Sequence, residues 1–256
     1  MRAFTTGRDT TSRVSVSVVS HGHGSMVTAL VNQLLCCAEV GQVIVTRNIL
    51  ERLDIPSDPR LTLIDNATPK GFGANHNAAF KRSQHSWFVV LNPDAVLLKD
   101  PFEALLRVAA STGAGVLAPR ALTPSGGPDD NWRRFPTIRS LVRKAFGGPD
   151  GRYEETQDQG AFKIEWASGF FLTIRSNVFE KLGGFDERYF MYYEDVDFCA
   201  RAWRAGFSLF ACPDAEVIHD ARRASRRNLR HLRWHLASMA RYFINHMGRL
   251  PTLERD

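Results

Sequence analysis

Strand-like and helix-like runs alternate along the first half of this chain, and that alternation restricts the fold more than any other feature. Val14-Ser-Val-Ser-Val-Val19 is β-branched with a period of two, the pattern of a strand. Two glycines break it in Ser20-His-Gly-His-Gly-Ser25, and residues 26–37 then carry apolar side chains at helical spacing. Residues 42–46 and 61–65 read as further strands, and 74–81 as a helix. Residues 87–91 form a buried-type strand that stops at Asn92-Pro93-Asp94. A helix with Pro101 in its first turn and a short strand at 115–118 follow. Such an order predicts an α/β fold, a mostly parallel sheet covered by helices.

Residues 120–165 are rich in Gly, Pro, Asp and Arg and read as loops and short elements projecting from the sheet. Beyond them, 169–174 reads as a strand and 176–182 as a helix capped by Ser176. Residues 194–205 read as a helix, and 208–211 and 215–219 as two short strands. Residues 226–245 form a long amphipathic helix with Leu229, Leu232, Leu236, Met239, Ala240 and Phe243 on one face. That face is expected to pack on the sheet. Contact of an apolar, Arg-flanked helix with anionic lipid is the alternative.

Composition removes several classes. A chain of 256 residues, 44% apolar and 23% charged, can bury a core without cross-links and is neither disordered nor fibrous. No stretch approaches the roughly 18 uninterrupted apolar residues of a membrane span. Met1 to Arg13 is polar with no apolar run behind it, so no secretory leader is expected. Cys36, Cys37, Cys199 and Cys212 have no Cys-x-x-Cys spacing and are expected as reduced thiols, in a cytoplasmic protein. The net charge of +6 is uneven: residues 221–256 hold nine arginines against Glu254 and Asp256, while the body is close to neutral. Such a tail suits phosphate on nucleic acid, lipid or a diphosphate ligand, or is simply a solvated face.

Four segments are candidates for chemistry. Asp94 follows a buried strand, where a carboxylate can hold a divalent ion against phosphate oxygens; an ordinary Asn-Pro turn explains the same residues. Glu194 and Asp195 stand at a helix start between Tyr189, Phe190, Tyr192 and Tyr193, where low dielectric can raise a carboxylate towards the range of a general base; a charged first turn is the plainer reading. His219 ends an apolar strand and gains meaning as a ligand only if it converges with Asp94. Gly71-Phe-Gly73 leads into Asn75, His76 and Asn77, where a ligand can approach the backbone closely, or where a turn is merely capped. His21 and His23 alone are too few for a structural zinc site.

In this order and spacing the segments resemble the nucleotide-sugar glycosyltransferases of family 2, with the GT-A fold, and among them the bacterial rhamnosyltransferase-like branch. The likeness rests on Val16-Ser-Val-Val-Ser20, Gly71-Phe-Gly-Ala-Asn-His-Asn77, Leu91-Asn-Pro-Asp94 and Trp166-Ala-Ser-Gly169. It continues through Gly183-Gly-Phe-Asp-Glu-Arg188, Phe190-Met-Tyr-Tyr-Glu-Asp-Val-Asp197 and His219, over about residues 14–245.

The resemblance implies roles. Asp94 stands at the last position of the family's metal-binding Asp-x-Asp, with Asn92 in place of the first Asp, and His219 matches the histidine that completes the metal site. Asp195 matches the catalytic base, with Glu194 beside it. Ser20, His21, Gly22 and Asn48 fall at the nucleotide, and Gly71, Gly73 and Asn77 on the donor side. Trp166, Ser168 and Gly169 belong to the acceptor side, where Trp132, Phe135 and Trp166 are available to stack on a sugar. Residues from Arg222 to Arg227 would touch the diphosphate.

The implied protein is one glycosyltransferase domain over 1–256, with a donor half (14–119), an acceptor and catalytic half (120–219) and a basic helical tail (220–256). The implied reaction is inverting transfer of a sugar, rhamnose from dTDP-rhamnose, to an acceptor hydroxyl in cell-surface polysaccharide or glycoconjugate synthesis. Mn²⁺ or Mg²⁺ is the implied cofactor and a nucleoside diphosphate sugar the co-substrate. The expected partner is a glycan or lipid-linked acceptor at the inner face of the plasma membrane, with no nucleic acid. The competing reading is a nucleic-acid-binding protein that uses the Arg-rich tail.

Overall fold

The Val-Ser alternation at the N-terminus becomes strand β1 (Asp9–Ser20), and from Val14 to Val18 both of its faces are covered in the computed structural model, which describes residues 9–153, 160–220 and 229–251. Val14, Val16 and Val18 pack against helix α1 (Ser25–Leu35) through Val27, Leu30, Val31 and Leu34. The serines between them are buried too, and each is hydrogen-bonded. Ser15 donates to Gln42 at 2.9 Å, and Ser17 lies 2.9 Å from Nδ1 of His76. Burial pushes the His76 pKa down to about 3, so the ring is neutral and can share that bond without a buried charge.

After α1 come strands β2 (Val40–Arg47) and β3 (Leu61–Asp65), helix α2 (Phe72–Phe80), strands β4 (His85–Leu91) and β5 (Ala95–Val96), helix α3 (Phe102–Thr112) and strand β6 (Val116–Leu122). Next are β7 (Trp132–Arg133), α4 (Ile138–Ala145), β8 (Phe162–Lys163) and β9 (Trp166–Ala167). The chain continues with β10 (Phe171–Arg175), α5 (Ser176–Lys181), α6 (Glu194–Arg204), β11 (Leu209–His219) and α7 (Leu229–His246). The main sheet runs β3-β2-β1-β4-β10-β6-β11-β5, with β8 also on β11, and β7 pairs with β9 in a small separate sheet. β10 is antiparallel to both β4 and β6, while β1, β2, β3, β4, β6 and β11 share one direction.

Three local expectations change. Ser176 is not a cap: it is the first helical residue of α5, and its hydroxyl donates to the His85 carbonyl at 2.7 Å, tying helix to sheet. Residues 208–219 are not two strands but one, β11, whose pairing with β6 shifts between Cys212 and Glu216. Trp132 and Phe135 are both buried in the core, Trp132 with its ring edge-on to Phe162 at 5.5 Å, and neither ring is free to stack on a sugar.

The largest correction concerns α7. The face that packs is Ser238, Tyr242 and His246, not the leucine stripe. Ser238 donates to the Met191 carbonyl at 2.9 Å, Tyr242 stacks on Tyr193, and Nε2 of His246 lies 2.8 Å from Asp197, which Arg201 also holds. These polar anchors fix the rotation of the helix, because leaving Asp197 buried without its partners would be costly. Leu229, Leu232 and Leu236 are turned outward, at 79%, 52% and 49% exposure. The basic run from Arg222 to Arg227 lies outside the described residues.

Candidate active site

One edge of the sheet collects the chemistry. β1 ends there at Ser20, β2 at Arg47, β4 at Leu91 and β11 at His219, and the oppositely directed β10 begins there at Phe171. In open sheets the ligand crevice lies outside such strand ends.

Ser20, His21 and Gly22 turn away from β1 over Glu51, a residue the sequence reading did not single out. The Gly22 and Gly24 N–H groups each donate to the Glu51 carboxylate at 2.9 Å. Burial pushes that carboxyl up, but the Ser20 hydroxyl and the two N–H groups outweigh it and hold the group below its ordinary range. Asn48 sits beside the loop. Its Oδ1 accepts from the Lys70 N–H at 2.7 Å and from Asn66 at 2.9 Å, and its amide nitrogen lies 3.3 Å from Nδ1 of His21. Asn48 therefore joins the ends of β1 and β3 to the approach to α2.

Gly71, Gly73 and Asn77 serve packing in this geometry. A Cβ on Gly71 would lie 2.5 Å from the Phe190 carbonyl oxygen, and one on Gly73 2.7 Å from Cβ of Phe185. Asn77 donates to the Phe185 carbonyl at 2.8 Å and accepts from the Phe185 N–H at 2.9 Å. The three residues bring α2 against the 185–190 segment that leads into α6.

Asp94 and His219 converge. Nε2 of His219 is 3.7 Å from Oδ2 of Asp94, and the Asp220 N–H donates to the Asp94 carbonyl at 2.9 Å. Burial pushes the Asp94 carboxyl above its ordinary range, and the neighbouring His219 pulls it back. Nδ1 of His219 is 2.9 Å from Asp129. With the proton on Nδ1, that contact is a donated bond and the Nε2 lone pair is left on the Asp94 side. Asp129 was hidden in the turn-rich 120–165 stretch; its N–H donates to Ala121 at 2.8 Å, which returns it to the sheet edge.

Whether these residues suit a cation is answered by Asp94 itself. Its Oδ1 is buried without a hydrogen-bond partner, an arrangement that a bound ion would relieve. Carboxylate plus neutral imidazole is an acceptable donor set for Mn²⁺ or Mg²⁺. No group of three His, Cys, Asp or Glu side chains able to hold a metal occurs among the described residues. The remaining positions would have to be filled by ligand or water. Asn92 contributes its N–H to the Phe170 carbonyl at 2.9 Å.

Asp195 meets the Gly169-Phe170 segment through the Gly169 N–H. Its Oδ2 accepts from the Gly169 N–H and its Oδ1 from the Val196 N–H, both at 2.8 Å. Burial pushes its pKa up against these bonds. Glu194 is buried, its Oε2 has no partner, and its pKa is pushed well up by desolvation and by Asp195. Both follow Tyr192 and Tyr193, consecutive non-glycine residues at φ of 70° and 66°. Such backbone costs on the order of 1–3 kcal/mol per residue and persists only when its surroundings enforce it. Here α7 does so: the Tyr192 hydroxyl is 2.9 Å from Nδ1 of His231, and the ring of His235 lies 5.4 Å from both tyrosines.

Asp195 and Glu194 open on a cleft of about 1020 Å³ that also receives Trp166, Phe135, Arg134, Arg143, Lys144 and His235. Trp166 is fixed by donating to the Arg134 carbonyl at 2.9 Å. Ser168 is committed to Asn131 at 2.7 Å and does not line the cleft. Asp94 and His219 do not line this cleft; they are linked to Asp195 through Gly169-Phe170, whose first residue donates its N–H to Asp195 and whose second packs its ring on His219.

The family described as "Glycosyltransferase like family 2" matches residues 13–237. The Escherichia coli K12 protein "Rhamnosyltransferase WbbL" is 27% identical over 243 residues, covering 90% of this chain and 92% of the relative. The Mycobacterium tuberculosis "N-acetylglucosaminyl-diphospho-decaprenol L-rhamnosyltransferase" is 34% identical over 142 residues, 52% of this chain and 46% of that one. Among solved structures, GalNAc-T7 with UDP, GalNAc and Mn²⁺ superposes at a TM-score of 0.65 with 12% identity, covering 82% of this chain and 43% of its own. The mannosyltransferase PcManGT of Pyrobaculum calidifontis, with GDP-Man and Mn²⁺, gives 0.59 with 16% identity, over 94% and 68%. This chain thus spans less than half the length of the mycobacterial relative and of GalNAc-T7, and at these identities the two solved structures share its fold.

Proposed function

The chain belongs to glycosyltransferase family 2, with a GT-A fold and its rhamnosyltransferase-like relatives, and from that premise we propose that it moves rhamnose from dTDP-rhamnose to an acceptor hydroxyl with inversion. The acceptor is a glycan or lipid-linked sugar of cell-surface synthesis. Residues 14–119 bind the donor, 120–219 bind the acceptor and carry the base, and the basic tail follows.

The observation that carries this reading is the Gly169-Phe170 dipeptide, whose Gly169 N–H is held by the Asp195 carboxylate and whose Phe170 ring packs on His219, the partner of Asp94. An inverting displacement needs its base and its leaving group on opposite faces of the reacting carbon. Asp195 accepts the proton of the attacking hydroxyl, once that oxygen lies within about 3 Å of it. Gly169 and Val196 hold both carboxylate oxygens by backbone N–H groups and so fix its direction. Trp166 gives the acceptor sugar a flat apolar wall. Asp94 and His219 would hold a divalent cation, which would supply positive charge for the departing diphosphate. The loop of Ser20, His21 and Gly22, with Asn48 beside it, receives the nucleoside.

Asp195→Asn tests the base. Donor binding, read by calorimetry, should persist while turnover falls by about 10²–10⁴-fold; near-normal turnover would remove Asp195 from the role. A thermal-shift panel of nucleoside diphosphates with and without Mn²⁺ tests donor and metal together. The largest shift should come from dTDP with Mn²⁺.

A further inference from the structure

The cleft beside Asp195 is lined by two helices that also present apolar residues to solvent. On α4, Ile138, Val142 and Phe146 stand one turn apart at 54%, 52% and 87% exposure, and none of the helix's residues is buried. A capping box between Thr137 and Ser140 closes its first turn. On α7 the exposed stripe is Leu229, Leu232 and Leu236, continued by Ile244 and Met247. The two helices face each other across the cleft: α4 contributes Ser140, Arg143 and Lys144, α7 contributes His235 and Met239, and the Lys144 charge adds to the burial that lowers the His235 pKa.

Exposed apolar side chains recurring along one line of a helix point to a partner. Their charge says which. Residues 137–149 and 229–251 contain no Asp or Glu, and Arg139, Arg143, Lys144, Arg230 and Arg233 flank the stripes. A second copy of this chain would bring the same cations face to face. A nucleic acid would leave the leucines and Phe146 uncovered. Among the described residues no helix is long and apolar enough to cross a membrane. Apolar residues bordered by cations on a helix surface match the interface of an anionic bilayer.

We propose that the outer faces of α4 and α7 rest on an anionic lipid bilayer, with Ile138, Val142, Phe146, Leu229, Leu232 and Leu236 entering the headgroup–acyl boundary. The cleft between the helices then opens at the lipid surface, where a lipid-linked acceptor would present its sugar to Asp195. The docking stands apart from the transfer reaction, because vesicle binding is read without turnover.

The experiment is flotation of the full chain with phosphatidylglycerol-containing vesicles and with pure phosphatidylcholine vesicles. The protein should float with the first, bind the second at least about tenfold less, and release as salt is raised. The pairs V142E/F146E and L232E/L236E should each lower partition by about tenfold or more while the donor-induced thermal shift is kept. If those pairs fail to fold, R139E/R233E removes charge alone and should cost about fivefold per position. Absence of flotation on anionic vesicles overturns the proposal, as does wild-type partition by folded variants. A dimer in sedimentation that the same substitutions dissolve would assign the stripes to a second copy instead and equally overturn it.

Discussion

The ring of Phe170 lies 4.0 Å from the ring of His219 at an interplanar angle of 32°. The residue before Phe170 gives its N–H to Asp195, and the Phe170 carbonyl accepts the N–H of Asn92. A single dipeptide at the start of β10 thus touches the proposed base, the proposed metal ligand and the end of β4.

Gly169→Ala tests that coupling. A Cβ there would sit 2.9 Å from Cζ of Phe72 and 3.7 Å from Cβ of Asp195. The Phe72 ring has to give way, and the Gly169 N–H shifts with it. Overpacking of this kind costs about 1–3 kcal/mol of stability. A displacement near 1 Å at the base costs up to about a hundredfold in rate. The variant should melt a few degrees lower and lose ten- to about a hundredfold in kcat with little change in KM for the donor. Unchanged kcat would separate the dipeptide from catalysis.

Asp129→Ala addresses the metal pair. Asp129 does not face Asp94; it holds the far nitrogen of His219 at 2.9 Å. Loss of such an orienting carboxylate lowers metal affinity by about 10–100-fold. Mn²⁺ titration by calorimetry, with nucleoside diphosphate present, should show that loss. Affinity equal to wild type would mean that His219 takes no part in holding the ion.

The sheet was legible because its strands announce themselves: Val14 to Val19 and Trp87 to Leu91 are β-branched or continuously apolar between turn residues. The convergence of Asp94 and His219 was legible only by resemblance, since nothing local in the sequence says that β11 runs parallel to β6 and ends at the same edge as β4. The rotation of α7 was misread for a physical reason. Leucine periodicity predicts which face is apolar, but Ser238, Tyr242 and His246 carry the specific partners, and their bonds to Met191, Tyr193 and Asp197 decide the packing. Glu51 and Asp129 were missed because each stands in a stretch of ordinary turn composition, and their roles arise from long-range hydrogen bonds.

The pH dependence of turnover follows from Asp195. Burial raises its pKa above the ordinary 3.8, against the bonds from Gly169 and Val196. A base works only when ionised, so kcat/KM should fall as pH is lowered through that raised value, earlier than for a solvent-exposed aspartate. A pH–rate profile should therefore show its acid limb displaced upward. A profile flat down to about pH 4 would mean that a different group takes the proton.

Glu194 gives a stability prediction with the opposite reading of the same physics. Unfolded, its carboxyl ionises near 4.5; folded, desolvation and the adjacent Asp195 keep the proton on well above that value. The native state thus holds a proton that the unfolded state releases. The favourable contribution is complete below the unfolded pKa and is lost as pH rises through the folded one. Glutamine has nearly the same shape and no proton to lose. Glu194→Gln should therefore be close to wild type at about pH 5 and more stable at about pH 8. The gain should reach roughly 1–3 kcal/mol, the scale of a buried polar group forced into its costly form. Urea unfolding at the two pH values measures it. A difference between the two proteins that does not vary with pH would show that Glu194 titrates alike in the folded and unfolded chain.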